Sequence, residues 1–295
     1  MEIFPQEGDN LTTSSDIQIR LFFFFFLFLA IAVWEFASPR RKPTVSKSGR
    51  WFNNISIIFI DTLLVRLLFP VMVIGIAAAA QRNGWGLFNT FQLPIWLSTL
   101  LAVLILDLFI YLQHLMFHAV PVLWRLHMVH HADLDYDVST GLRFHPIEIV
   151  LSMLIKMATV AFLGPPLIAI LIFEVALNGT AMFNHGNINL PKNFDRYLRL
   201  LLVTPDMHRV HHSVIIRETN SNFGFNFPWW DRLLGTYRAQ PVAGHSGMSI
   251  GLSHFRQEQQ VTLTRLLLLP FVGDPGRYSI KHIGKDPKTT SDHEE

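Results

Sequence analysis

The sequence predicts an all-α integral membrane protein, a helical bundle with a smaller helical cap on the cytosolic side. Half of the 295 residues are hydrophobic, only 16% are charged, and phenylalanine alone occurs 25 times. Four long apolar runs are separated by short polar connections, and apolar runs of about 20 residues cross a bilayer as helices. Ten of the 14 histidines fall between residues 114 and 212, so the polar chemistry is concentrated beside these runs.

Composition also narrows the functional classes. The chain has no cysteine, which removes disulfides, iron–sulfur clusters and thiolate ligands together. Any bound metal therefore needs nitrogen or oxygen ligands. The formal net charge is only +2 and the basic residues are scattered, so no nucleic-acid surface is indicated.

The first apolar run covers residues 21–37 and lies near the lower length limit for crossing a bilayer. The segment before it is acidic, and no small-residue cleavage site follows it, which differs from a secretory signal. The sequence therefore predicts that this run is a retained membrane anchor.

Three further apolar runs follow. Residues 55–80 contain Pro70, which predicts a kink, and residues 95–117 form an uninterrupted run. Residues 147–182 are interrupted by Gly164-Pro165-Pro166. Such an interruption predicts two shorter helices in a hairpin that returns to the same side, rather than one long span.

Charge predicts the orientation. Five basic residues follow the first run directly, whereas Arg82 alone follows the second. The positive-inside rule therefore assigns residues 38–54 to the cytoplasm and residues 81–94 to the opposite side. With the fourth run as a hairpin, every histidine cluster lies at the cytoplasmic face.

Eight histidines form three clusters with helical spacing. Imidazole binds a transition metal at neutral pH without first losing a proton, and residues at i, i+3 and i+4 share one face of a helix. Three helices that each direct imidazoles inward predict a polynuclear metal centre. The clusters are His114 with His118, then His127, His130 and His131, then His208, His211 and His212.

Two more histidines are candidate ligands. His145 precedes Pro146, in an extended or turning stretch that directs a side chain back toward a centre. His185 is flanked by Asn184 and Asn187 at the end of the predicted hairpin. Together with the clusters they supply ten nitrogen donors, enough for two ions with five ligands each, whereas a structural zinc needs only four.

Other polar residues are candidates for supporting these ligands. Asp107 and Tyr111 continue the helical face of His114 and His118 as a polar stripe on an apolar helix, which normally marks a functional face. Asn184 and Asp206 are further candidates. Thr204 is a predicted N-cap for a helix that begins at Pro205 and carries the last cluster.

Two segments remain open to more than one interpretation. The acidic run Asp133, Asp135 and Asp137 lacks the glycine and the last glutamate of a calcium loop, so it predicts a cap, a turn or a hydrogen bond to a ligand imidazole. The aromatic segment 221–237 either packs over the centre, rests at the membrane interface or is plain core.

The order of these motifs resembles the fatty acid hydroxylase / sterol desaturase superfamily over roughly residues 100–240. The order is HxxxH, HxxHH, FHP, NH and HxxHH, within LWRLH, TGLRFHPIE, TPDMHRVHHS and WDRLLGTY. The resemblance implies an integral-membrane, non-haem di-iron enzyme that uses O₂. It also implies metal ligation by the eight clustered histidines, with His145 and His185 at additional positions. Where some relatives carry a second histidine in the third motif, this chain has Asn189.

The resemblance further implies a lipid substrate (a fatty acyl, sterol-like or ether lipid) and a choice among hydroxylation, desaturation and ether cleavage. Two iron ions are the implied cofactors, with zinc as a possible substitute. No dinucleotide loop or haem domain is visible, so electrons are expected from a separate reductase, cytochrome or ferredoxin. The resemblance covers only the predicted catalytic domain (95–240). The residues themselves predict a tail (1–20), membrane anchor helices (21–94), and a C-terminal extension (241–295) with a mobile tail from about residue 273.

Two other functions fit parts of the pattern. A membrane di-zinc lipid hydrolase uses imidazole ligands, but ten histidines exceed its needs. A metal transporter or metal-binding membrane protein places ligands near the bilayer midplane, whereas these clusters gather at one face. The four histidines that are neither in the clusters nor candidate ligands are predicted to be dispensable, namely His245, His254, His282 and His293.

Overall fold

The computed structural model describes residues 7–280, and within this range it is all-helical without a β-strand, as predicted. The α-helices are α1 (Glu7–Ala37), α2 (Lys47–Leu68), α3 (Met72–Asn83), α4 (Leu87–Phe91), α5 (Ile95–Ala119), α6 (Pro121–His131), α7 (Pro146–Leu163), α8 (Leu167–Asn184), α9 (Lys192–Leu198), α10 (Pro205–His211), α11 (Ile216–Thr219), α12 (Trp229–Leu233), α13 (Gly244–Gly247) and α14 (Leu263–Val272).

Within residues 7–280, five segments are long and apolar enough to cross a membrane. They expose large apolar side chains such as Phe22 and Phe25, which fits helices that face lipid. The protein is therefore an integral membrane protein. The segments are Ile17–Ala37, Lys47–Phe91, Ile95–Ala119, Pro146–Leu163 and Leu167–Asn184.

The predicted hairpin is present. Helix α7 ends at Gly164, whose φ of 59° is left-handed, and an added Cβ would lie 2.5 Å from the carbonyl oxygen of Trp85. Glycine is therefore the residue that fits this turn. The two prolines that follow cannot continue α7, and α8 begins directly after them. Glu148 at the start of α7 contacts His127, and His185 at the end of α8 lies 3.1 Å from His130. Both ends of the hairpin therefore reach the middle histidine cluster, so the chain does return to one side.

The second apolar run is broken rather than kinked. Helix α2 ends at Leu68 and α3 begins at Met72, with Pro70 between them. Proline removes a backbone donor and clashes with the preceding turn, which accounts for the end of α2 at this point. The separated α3 packs against α7 and α8 through Val73 and Ala77.

The region before residue 55 is tied to the loop that follows α6 by a buried ion network. Arg50 is 4% exposed and contacts Asp133 at 2.6 Å and Asp137 at 2.7 Å. Asp133 also faces Arg143 at 3.5 Å. Burial raises the pKa of Asp133, but Arg50 and Arg143 outweigh this effect and hold the pKa well below its usual range. Asp133 and Asp137 therefore pair with arginine, and Asp137 also forms a turn by accepting the Ser139 amide at 2.9 Å. Asp135 accepts hydrogen bonds from Thr44, so the predicted turn is confirmed and no hydrogen bond to a ligand imidazole is found among the described residues.

The ends of the chain differ from the prediction. Helix α1 begins at Glu7, inside the predicted tail. Residues 273–280 are packed, because Tyr278 stacks on Trp124 with ring centroids 5.7 Å apart and donates a hydrogen bond to the Val214 carbonyl. The prediction of mobility from residue 273 is therefore wrong for this stretch, where one aromatic ring anchors a polar segment. His282 and His293 lie outside the described residues.

We expect Arg50→Met to lower the free energy of unfolding by about 3–5 kcal/mol, because it leaves two buried carboxylates without their partner. Denaturant unfolding of the purified protein in detergent measures this change. The exposed Lys42→Met is the matched control and should change stability by less than about 0.5 kcal/mol. An Arg50→Met protein as stable as the control would show that the network contributes nothing.

Candidate metal centre

Nine of the ten predicted ligands come together in two adjacent groups. All nine side chains are at most 3% exposed. Within each group, one candidate ligand atom per residue lies within 4.8 Å of the others. The first group is His114, His118, His127, His131 and His211, and the second is His130, His185, His208 and His212.

Four helices deliver these side chains. The last turns of α5 carry His114 and His118, α6 carries the middle cluster, and His185 follows the end of α8. Helix α10 begins at Pro205, where the Thr204 hydroxyl accepts a hydrogen bond from the Met207 amide. The predicted N-cap is therefore confirmed, and it sets the rotation of the last cluster.

Six of the nine rings are oriented through Nδ1. Their partners are carbonyl, amide or carboxylate oxygens, so Nδ1 carries the proton and the Nε2 lone pair points inward. The hydrogen bonds run from His114 to Phe223 O (2.8 Å), His118 to Asn220 Oδ1 (3.2 Å), His127 to Glu148 Oε1 (2.6 Å), His130 to Arg143 O (3.0 Å), His185 to Ala181 O (2.7 Å) and His211 to Ser221 O (2.8 Å).

The inward nitrogens approach one another closely. Nε2 of His114 lies 3.1 Å from Nε2 of His127, and Nε2 of His185 lies 3.1 Å from that of His130. Two lone pairs cannot form a hydrogen bond with each other. Two ligands about 2.1 Å from one ion and at right angles would lie about 3.0 Å apart, so these separations fit a shared cation.

Several other inward atoms have no partner. Among the described residues, buried Nε2 atoms without a hydrogen-bond partner occur in His118, His131, His208 and His211. Leaving a buried polar atom unsatisfied costs about 1–3 kcal/mol, so an array of them requires a compensating ligand. The donor set therefore fits metal ions that imidazole binds, one at each group.

Burial keeps these rings neutral. It lowers the pKa of His127 to about 3 and the pKa of His185 to about 3. The neutral ring is the form that coordinates a metal, so no proton must be displaced at neutral pH. Burial likewise lowers the pKa values of His130, His131, His208, His211 and His212 well below the ordinary value.

His145 lies outside both groups. Its Nδ1 accepts a hydrogen bond from the Ile147 amide, and its Nε2 donates to the Leu267 carbonyl at 3.1 Å. Because Pro146 is the first residue of α7, His145 becomes the N-cap and faces α14 rather than the centre. Three residues after His145, Glu148 instead accepts a hydrogen bond from His127 at 2.6 Å, a contact that was not predicted from the sequence.

The hydrogen bonds and ion pairs described for the four polar residues proposed to support the ligands go to groups other than the clustered imidazoles. Three of them hold the aromatic segment 221–237: Asp107 accepts from the Trp230 indole at 2.8 Å, Tyr111 bonds Thr236 at 2.8 Å, and Asn184 donates to Phe225 O at 3.1 Å. The fourth, Asp206, pairs with Arg40 and Arg209.

That aromatic segment covers the centre. The rings of Phe223 and Phe225 lie 5.4 and 5.2 Å from the His114 ring, and Phe223 is fully buried. Asp231 fixes the turn by accepting the amides of Phe223 and Gly224, both at 2.8 Å. Burial raises the pKa of Asp231 to about 6. The first half of the segment thus packs over the histidines, while its last residues, such as Leu233, are exposed.

Comparison with known proteins identifies the same region. The model of the fatty acid hydroxylase family matches residues 99–236. The ornithine lipid hydroxylase OlsE of Rhizobium tropici is 28% identical over 230 residues, which cover 74% of this chain and 67% of that protein. The human alkylglycerol monooxygenase is 28% identical (58% and 37% coverage), and the rat cholesterol 25-hydroxylase is 29% identical (48% and 47% coverage).

These matches confirm the family resemblance predicted from the motifs. The chain spans less than half the length of the alkylglycerol monooxygenase and the cholesterol hydroxylase that it matches. No solved structure matches the chain significantly.

We expect Glu148→Ala to weaken metal binding about 10–100-fold, because the carboxylate orients His127 and raises its basicity. Metal content of the purified protein during chelator titration measures this loss. Glu148→Gln keeps an acceptor for Nδ1 and should lose less. The exposed Glu258→Ala is the control and should hold metal as the wild type does, and equal affinity in Glu148→Ala would contradict this role.

Proposed function

We propose that this chain is a member of the fatty acid hydroxylase family and an integral membrane oxidoreductase that uses O₂ to oxidise a C–H bond of a lipid. The observation that carries the proposal is the pair of buried histidine groups, five and four rings with inward nitrogens, beside membrane-spanning helices. The similar proteins support it, since they are named as hydroxylases or monooxygenases of ornithine lipid, alkylglycerol and cholesterol.

We propose two iron ions as the cofactors, one at each histidine group. Imidazole suits both iron and zinc, so zinc is a possible substitute at these ligands, but only iron changes oxidation state in this role. When bound, the irons supply the electrons that reduce O₂. Nine histidines would hold them, and His145 is left out of the ligand set because both its ring nitrogens have protein partners.

The chain's own residues organise the reaction. Glu148 and the carbonyl acceptors keep the proton on Nδ1 of their histidines, so that Nε2 remains the donor to the metal. Phe223 and Phe225 exclude water from one side of the centre. A dry apolar wall suits both an unactivated C–H bond and an oxidant that water would otherwise quench.

The catalytic face is proposed to be cytoplasmic. The basic residues after α1 form the side of the protein that carries the histidines, because Arg50 reaches Asp133 and Arg40 reaches Asp206, two residues from His208. Positive charge marks the cytoplasmic side of a membrane protein. A separate reductase, cytochrome or ferredoxin is the proposed electron donor on that side, and the substrate is a fatty acyl, sterol-like or ether lipid.

The two rival functions fit the arrangement less well. A di-zinc hydrolase commonly uses a carboxylate as bridge or base, whereas both groups consist of histidine alone. In a transporter the ligands lie near the bilayer midplane, whereas His114 and His118 belong to the last turns of α5.

We expect alanine at any of six histidines to reduce turnover to background while the protein still inserts, because each change removes a ligand nitrogen. Mass spectrometry of lipids from cells with and without the chain measures this result. The product should gain one oxygen atom or lose two hydrogen atoms, and it should disappear when oxygen is excluded. The six residues are His127, His130, His131, His208, His211 and His212.

His254→Ala is the control, since this ring bonds only the Asp274 carbonyl at the surface and should retain full activity. Turnover that persists in several of the six variants would overturn the proposed ligands. A lipid product that forms equally without oxygen would favour the hydrolase instead.

A further inference from the structure

A second polar site lies on the outer side of α10, away from the histidine groups. It is a cleft of about 420 Å³ between α9, α10 and the segment around residues 237–245. Positive charge dominates its walls, because four cations face two carboxylates. These are Arg40, Lys192, Arg196 and Arg199, against Asp195 and Asp206.

The two carboxylates already have partners. Asp195 pairs with Arg199 on the next turn of α9, and Asp206 pairs with Arg40 at 3.1 Å and with Arg209. The charges of Lys192 and Arg196, both exposed at the rim, are therefore not cancelled within the cleft. The cleft presents a net positive potential to an approaching anion.

His245 adds a buried donor to this wall. It is 5% exposed, and neither ring nitrogen has a hydrogen-bond partner among the described residues. Its closest charged neighbour, Asp206 Oδ2, lies 3.6 Å from Nε2, beyond hydrogen-bond distance. The buried Nε of Arg199 also lacks a partner. Unsatisfied buried donors are costly, so their presence at a cleft points to a ligand that accepts hydrogen bonds.

The opposite face of α9 is apolar and exposed. The residues that line the cleft follow the spacing i, i+3, i+4 and i+7 from Lys192, whereas Phe194 and Tyr197 are 55% and 66% exposed on the other side. Leu200 and Leu201 continue this exposed apolar surface. Helix α9 follows closely on the membrane-spanning α8, so this pattern fits a short helix at the headgroup and acyl-chain boundary.

We propose that the cleft binds the anionic headgroup of a membrane lipid. Lys192, Arg196 and Arg199 meet the negative charge, and His245 donates a hydrogen bond to it. The exposed apolar face of α9 rests among the acyl chains of the membrane, which brings the cleft to the level of the headgroups and favours a lipid over a free anion as the occupant. This site is separate from the metal centre and does not depend on the proposed oxidation.

The test measures binding rather than turnover. The full chain in detergent is titrated with phosphatidylglycerol, phosphatidylcholine and inorganic phosphate, and bound lipid is counted by native mass spectrometry. We expect tight binding of phosphatidylglycerol alone. The double variant Lys192→Glu, Arg196→Glu should weaken it about tenfold or more, since each basic side chain near a membrane surface contributes appreciably. Arg265→Glu, an exposed exchange on α14, should bind as the wild type does.

Three results would overturn the proposal: unchanged binding in the double variant, equal binding of phosphatidylcholine, or equal competition by inorganic phosphate, which would mean a site for a free anion. Metal content equal to that of the wild type shows that the double variant is folded. The milder double variant Lys192→Gln, Arg196→Gln should bind phosphatidylglycerol more weakly than the wild type and more tightly than the double glutamate variant. It is used in place of the double glutamate variant if that protein does not fold. His245→Ala should weaken binding while leaving charge selectivity intact.

Discussion

The arrangement of the molecule depends on keeping nine neutral imidazoles buried with their Nε2 lone pairs directed at one another. Burial of so many polar rings is unfavourable, and the close Nε2 contacts of His114 with His127 and of His185 with His130 add repulsion between lone pairs. Metal ions bound between the rings would offset this cost by accepting the Nε2 lone pairs as ligands. Six of the nine rings are held in this orientation by a hydrogen bond at Nδ1, which leaves Nε2 free for a metal ion.

The groups that hold those nitrogens come from distant parts of the chain. Glu148 lies at the start of α7, the Phe223 carbonyl belongs to the aromatic segment, and the Arg143 carbonyl follows the acidic run. Arg143 in turn contacts Asp133, which pairs with Arg50 of α2. A helix outside the matched family region thus stabilises the position of a ligand, and these contacts cross the predicted boundary at residue 94.

The sequence was sufficient for features that are local. HxxHH places three rings on one helical face whatever surrounds it, and Gly164 followed by two prolines ends a helix in any context. The residues that orient the candidate ligands are not local in sequence. Glu148 and Asn220 orient His127 and His118 across 21 and 102 positions of sequence, and no spacing rule connects them. His145 shows the same limit, because a residue before proline is extended but its direction depends on what packs beside it.

The polar stripe of α5 shows how one helix face serves two purposes. Its last turns carry the candidate metal ligands His114 and His118. Nearer the middle of the helix, Asp107 and Tyr111 form hydrogen bonds with the Trp230 indole and the Thr236 hydroxyl of the aromatic segment. The Phe223 carbonyl of that segment in turn accepts a hydrogen bond from His114 Nδ1. Helix α5 therefore both holds the aromatic segment and carries His114. Rotation of the His114 ring would break its hydrogen bond to the segment that excludes water. This closed chain of contacts explains how polar residues in an apolar span support the centre through hydrogen bonds to groups other than the clustered imidazoles.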